Sequence, residues 1–214
     1  MLKLVNLSKS YSDKVIFKDF NLEINDSEFV SIKGQSGSGK TTLINILSML
    51  DSEYSGDYYI DEIDVKLLKN KDFNNTRLKY FSLIFQEYNL ISYLTAYENV
   101  ILPLKLQNIS IDDAYISELF SKFNLEKEKN KIVSNLSGGE AQRVSIIRAL
   151  VTKPKYILAD EPTSALDDKN TKIIMDYFKQ INYYYKIGII MVTHSNNLDS
   201  YFDKIIRIDD YEQD

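Results

Sequence analysis

Through the first third of the chain, apolar residues alternate with polar ones or run together briefly. Leu2–Leu7, Phe20–Ile24 and Phe29–Lys33 read as strands separated by polar turns. The run "EFVSIK" leads straight into a glycine-bearing loop. After it, Leu43, Ile46, Leu47 and Leu50 in "TTLINILSML" fall at helical spacing. "GDYYIDEID" returns to alternation, and "FSLIF" (Phe81–Phe85) is a short apolar strand. From Tyr88 to Lys153 the strand signal fades, and helical patterns over Ile111–Phe123 and Glu140–Val151 predict a mainly helical insert. Strands resume at "YILAD" (Tyr156–Asp160), "IGIIMVT" and "KIIRID" (Lys204–Asp209), with a helix over Lys169–Tyr183.

Strands that alternate with helices imply an α/β fold whose mostly parallel core sheet is covered on both faces. The expected layout is a single unit. Residues 1–86 and 156–214 form the core with a small antiparallel β lobe, and residues 87–155 form a helical lobe. At 214 residues the chain can bury one substantial core. Its net charge of -5 argues against bulk binding to nucleic acid or to an anionic membrane surface. It has no cysteine, hence no disulfide framework and no thiolate metal site. "MLKLVNLSKSY" is too polar for a secretory signal, and stretches such as "IGIIMV" fall well short of the ~18 residues that span a bilayer.

The first glycine loop carries chemistry. "GQSGSGKTT" fits G-x-x-x-x-G-K-[ST] at Gly34, Gly39, Lys40 and Thr41, between a strand and a helix. Glycines let backbone N–H groups converge on phosphate oxygens, and the helix turns its positive end toward the anion. The stretch Gly34, Gln35, Ser36, Gly37, Ser38, Gly39 is therefore expected to cradle a nucleoside triphosphate. Lys40 reaches the β- and γ-phosphates, Thr41 ligates Mg²⁺ and Thr42 adds a phosphate contact. "YILADEP" supplies a second half: Asp160 ends an apolar strand where it can hold Mg²⁺ through water, and Glu161 can polarise an attacking water. These features define a P-loop NTPase and leave kinases, GTPases and helicases open.

A second glycine pair narrows the field. "NLSGGEAQR" (Asn135–Arg143) places two of the chain's seven glycines side by side ahead of a helix, with no phosphate-loop lysine after them. "LSGGEAQR" resembles the signature of ATP-binding-cassette (ABC) ATPases, and the neighbouring motifs match that family in order. "ADEPTSALD" (Ala159–Asp167) resembles its joined magnesium-binding strand and D-loop. Gln86 in "FQEYNL" resembles the Q-loop glutamine, and His194 in "MVTHS", the one histidine, resembles the switch histidine. Tyr11 falls where the family stacks a ring on adenine, with Phe17 as its competitor.

The resemblance implies ATP and Mg²⁺ as cofactors, Glu161, His194 and Lys40 as catalytic residues, and Gln86 as a contact to nucleotide and metal. It also implies a head-to-tail dimer in which each ATP lies between the phosphate loop of one copy and Ser137, Gly138 and Gly139 of the other. Asp167 then shapes the interface. "FQEYNLISYLTAYENVILPL" resembles the branch that serves lipoprotein release, macrolide efflux and cell division. That branch implies a separate membrane permease, a peripheral place on the cytoplasmic side of the membrane, and export or mechanical work, with antimicrobial peptides or lipoproteins as candidate cargo. Two alternatives stay open: a regulatory ATPase that signals through its membrane partner, and a soluble ABC ATPase. "KNKIVSN" before the signature and "DD" at Asp209–Asp210 depart from the branch.

Overall fold

The computed structural model describes residues 1–12 and 14–208. The "DD" pair and the last residue of the final expected strand lie outside the described residues. In chain order the strands are β1 (Leu2–Tyr11), β2 (Lys14–Ile24), β3 (Phe29–Lys33), β4 (Ser55–Ile60), β5 (Ile63–Asp64), β6 (Phe81–Ile84), β7 (Tyr156–Asp160), β8 (Gly188–Val192) and β9 (Lys204–Arg207). The helices are α1 (Lys40–Leu47), α2 (Asn70–Tyr80), α3 (Ala96–Leu106), α4 (Asp113–Lys122), α5 (Gly138–Leu150) and α6 (Asp168–Tyr185).

One sheet is antiparallel, in the order β2-β1-β4-β5; the other, in the order β6-β7-β8-β3-β9, pairs every neighbour in parallel. The parallel strands are apolar because both their faces are covered. Successive side chains point to opposite faces. Phe29, Ile157, Ala159, Ile189 and Met191 join the core made with α3 to α6. Val30, Ile32, Tyr156, Leu158, Ile190 and Val192 join the core made with α1 and the antiparallel sheet. The helical insert therefore shares its core with one face of the central sheet. Tyr58 ties the other side together, its buried hydroxyl donating to the Leu47 carbonyl at the end of α1 (2.7 Å).

Several elements differ from the expected bounds. β1 and β2 run longer than the pattern suggested, since register shifts between Leu4 and Ser10 break the alternation on which a strand is read. α1 stops at Leu47: Ser48 caps it, Met49 turns back at φ 59, and Leu50 is left exposed outside the helix. α2 buries no residue, so it offers no apolar period to read. α3 buries Val100, Ile101 and Leu104 but carries Pro103 inside it. Its legible mark is the capping box of Thr95 and Glu98.

Candidate functional site

In a parallel sheet all carboxyl ends lie on one edge, and ligands gather there. β3 ends at the phosphate loop, β7 at Asp160, β8 just before His194 and β6 just before Gln86. Chain segments far apart in sequence are thus delivered to one edge.

The phosphate loop needs its glycines. Gly39 precedes α1 in the left-handed region (φ 96), and a Cβ there would lie 2.4 Å from Ile16 Cγ2 and 3.0 Å from the Phe17 ring. Lys40 is buried and its ammonium donates to the Gly34 and Gln35 carbonyls (2.9 and 2.6 Å). The Ser38 hydroxyl is buried without a hydrogen-bond partner. An orphaned donor beside a left-handed glycine turn and a buried ammonium fits an anionic ligand bearing many oxygens.

The metal half also fits. Thr41 Oγ1 donates to Asp160 Oδ2 (3.2 Å), so a hydroxyl and a carboxylate, both hard oxygen donors of the kind Mg²⁺ takes, already converge. Burial pushes the Asp160 carboxyl up, and the charge of Glu161 adds to the rise. The Thr41 hydrogen bond and the Lys40 and His194 charges oppose it. A carboxyl raised in the folded state is held ionised at a cost. That cost begins above the unfolded value and is complete above the folded one. Asp160→Asn should therefore unfold at a higher urea midpoint than the natural chain at neutral pH. The gap should close as pH falls below the ordinary carboxylate range. Equal midpoints at neutral pH would contradict this.

His194 Nε2 lies 2.5 Å from Glu161 Oε1. Glu161 is itself in the left-handed region (φ 47), with its N–H bonded to the Val192 carbonyl (3.0 Å). This non-glycine residue holds a sparsely populated conformation at the strand end, which turns its side chain into the cleft. The cleft, of roughly 300 Å³, is lined by Tyr11 and Ile16, by Ser36, Gly37, Gly39, Lys40, Thr41 and Thr42 of the phosphate loop and the start of α1, and by Glu161 and His194. On the far side of the Glu161–His194 pair a second cleft opens toward Ser164, Leu166 and Asp168.

Tyr11 and Phe17 are now distinguished. Tyr11 is half-exposed at the cleft, its hydroxyl donating to Asp51 Oδ2 (3.0 Å) and its ring facing the Lys9 ammonium. Phe17 is buried against Phe20, so its ring offers no free face. Gln86 sits exposed in the turn after β6 and does not line the cleft.

Ser137, Gly138 and Gly139 lie apart from this cleft. α5 begins at Gly138, two residues earlier than the expected Glu140, with Ser137 as its N-cap. Glu140 closes a capping box: its carboxylate accepts from the Ser137 N–H and hydroxyl (2.7 and 2.8 Å). The helix is therefore capped in the ordinary way. Gly139 also has a reason within one chain, since a Cβ there would come 3.0 Å from Asn170 Oδ1, whereas at Gly138 the nearest atom, the Tyr88 hydroxyl at 3.0 Å, is the movable end of a side chain. Asp167 caps α6 by accepting from Asn170, so the D-loop and the signature meet through that asparagine. Val144, Ile147 and Val151 repeat at helical spacing and are buried, along with much of the rest of α5.

Other site residues escaped the sequence reading. Arg148 on α5 donates to the Tyr88 and Asn89 carbonyls (2.8 and 2.5 Å), pinning the segment after Gln86 to the signature helix. The only sequence signal was an arginine set among buried positions of that helix.

Comparison with known proteins agrees with this geometry. The sequence profile described as "ABC transporter" matches residues 17–164. The lipoprotein-releasing system ATP-binding protein LolD of Leptospira interrogans is 38% identical over 98% of this chain and 89% of its own length. The bacitracin export ATP-binding protein BceA of Halalkalibacterium halodurans is 38% identical over 98% of this chain and 85% of its own. Among solved structures, the dimeric post-hydrolysis ATP-binding cassette MJ0796 bound to ADP and Pi superposes with a TM-score of 0.85 at 38% identity, covering 97% of this chain and 94% of that one.

Proposed function

Because this chain belongs to the ABC transporter family as an ATP-binding, ATP-hydrolysing cassette, we propose that two copies close head to tail on ATP and so drive a membrane permease. The observation that carries the reading is the Glu161–His194 pair, which shares one cleft with Lys40, Thr41 and the phosphate loop. Hydrolysis is an in-line attack of water on the γ-phosphate. Glu161 orients that water and draws on its proton, and His194 steadies the phosphate. Lys40 leaves the loop carbonyls for the phosphate oxygens, and the partner's signature approaches from the other side. Tyr11 stacks on the adenine. Thr41 and Asp160 would hold Mg²⁺, which would neutralise phosphate charge, and Gln86, exposed outside the cleft, would join them only if its turn moved inward.

Ser137 has its hydroxyl engaged with Glu140. A hydroxyl oxygen keeps acceptor capacity but has one proton, so contact with a phosphate requires that proton to turn from Glu140 to the ligand.

Closure on ATP and release after hydrolysis is a population shift by a ligand that favours the closed state. No helix among the described residues is long and apolar enough to cross a membrane. The relatives, ATP-binding proteins of membrane transport systems, support a reading in which the motion passes to a membrane permease that holds this chain peripherally on its cytoplasmic side. The relatives named for lipoprotein release and bacitracin export support export or mechanical work, with antimicrobial peptides or lipoproteins as the candidate cargo. Reconstitution with its membrane permease should raise ATP hydrolysis, and chelation by EDTA should abolish it. Hydrolysis that resists EDTA would overturn the metal assignment. A rate set by the permease alone, indifferent to cargo, would mean signalling in place of translocation.

A further inference from the structure

Lys33 is a charge where the pattern calls for none. It is the last residue of β3, a strand buried at every position, and is itself 4% exposed. Its ammonium meets three acceptors: the Ser195 carbonyl (3.1 Å), Asn196 Oδ1 (3.0 Å) and the Asp199 carboxylate. Three donors meeting three acceptors saturates the group, which is the condition for holding a buried lysine charged. All three acceptors belong to the turn directly after His194.

We propose that Lys33 is a positioning residue for His194, locking the turn that carries the imidazole to the strand that carries the phosphate loop. The inference rests on the hydrolytic reading above. His194 is bracketed by two bonds to consecutive residues of β3. On one side the Thr193 N–H donates to the Ile32 carbonyl (3.4 Å), and on the other Lys33 grips the Ser195 carbonyl. The residue after Lys33 is Gly34, where the phosphate loop begins. One strand end therefore sets the distance between the group that meets the γ-phosphate and the loop that cradles it.

The far half of the turn has anchors of its own. Leu198 is buried in the core, Phe202 packs edge-on against Phe29 with centroids 4.9 Å apart, and Asp203 accepts from the Phe29 N–H (2.9 Å). Without Lys33 the turn stays attached. What is lost is the lock next to His194.

His194 is the one histidine in the chain, so its imidazole gives a single signal in a histidine-labelled NMR spectrum. Lys33→Met keeps the stem and removes the ammonium. The expected result is a shifted or broadened His194 signal in the nucleotide-free protein. With it, kcat falls by about tenfold or more while the KM for ATP stays within about twofold, because positioning is lost and binding is not. In a His194→Ala background the same substitution should change kcat little further. Asp199→Asn, which keeps one oxygen acceptor but loses the charge and turns the other oxygen into an NH₂ donor, should move both readouts the same way and less. It serves in place of Lys33→Met should that variant fail to fold. An unmoved His194 signal would overturn the proposal. So would a full multiplicative loss on top of His194→Ala, and that outcome would leave the hydrolytic reading standing. If His194→Ala alone kept the natural rate, the role given to His194 would fall, and the proposal with it.

Discussion

Exchange of Glu161 for glutamine should lower ATP hydrolysis by roughly a hundredfold to a thousandfold, the range of a lost general base, and leave ATP binding intact. The side chain keeps its length, and its carbonyl oxygen can still accept from His194 Nε2, so the 2.5 Å pairing need not break. What disappears is the ability to draw on a proton of the attacking water. Asp160, Thr41 and Lys40 are untouched, so the phosphates and metal bind as before. ATP that binds but is not consumed holds the closed arrangement, and dimers should accumulate on addition of ATP and disperse on its removal. Light scattering during size exclusion reads this directly. A variant that hydrolysed ATP at the natural rate would remove Glu161 from the mechanism.

The second large effect concerns completion of the pocket by another copy. Lys40→Ala removes the buried ammonium beside the phosphate loop, and Gly138→Val places a side chain on the exposed start of α5. The fold should tolerate the latter, since the nearest obstacle to a Cβ is the Tyr88 hydroxyl at 3.0 Å, the movable end of a side chain. Each variant alone should lose about a hundredfold or more of its hydrolysis, because Lys40→Ala removes a donor that stabilises transition-state charge and Gly138→Val blocks the approach of the signature's backbone N–H groups to it. Mixed, they should recover. In a head-to-tail pair the natural phosphate loop of one variant faces the natural signature of the other, which leaves one intact pocket. Random pairing makes about half the dimers mixed, so about a quarter of the natural rate should return. If mixing restored nothing, each chain would have to carry its whole pocket within itself.

Lys40, Thr41, Asp160 and Glu161 could be proposed from the sequence because phosphate and Mg²⁺ restrict the residue types and spacings that suit them, and each motif follows a strand that the apolar pattern marks. His194 was legible because a solitary histidine follows an apolar strand. Lys33 was not: its partners lie more than 160 positions away, and a lysine closing the run Phe29-Val30-Ser31-Ile32 looks like the end of a strand emerging into solvent. Arg148 was hidden in the same way, its acceptors being backbone carbonyls some 60 residues earlier. Backbone acceptors leave no trace in side-chain identity.

Local grammar, then, determined the elements whose cause lies within a few residues: the parallel strands, the phosphate loop, the capped start of α5 and the acidic strand end. Tertiary structure decided what depends on contact between distant segments. It placed Tyr11 at the cleft and withdrew Phe17 into the core. It set Glu161 against His194 and packed Asn170 against Gly139 of the signature. It also brought a buried ammonium to the turn behind the histidine. Periodicity and motif spacing report how a segment meets its own neighbours, whereas the strand order that assembles a site on one sheet edge emerges only when the chain closes on itself.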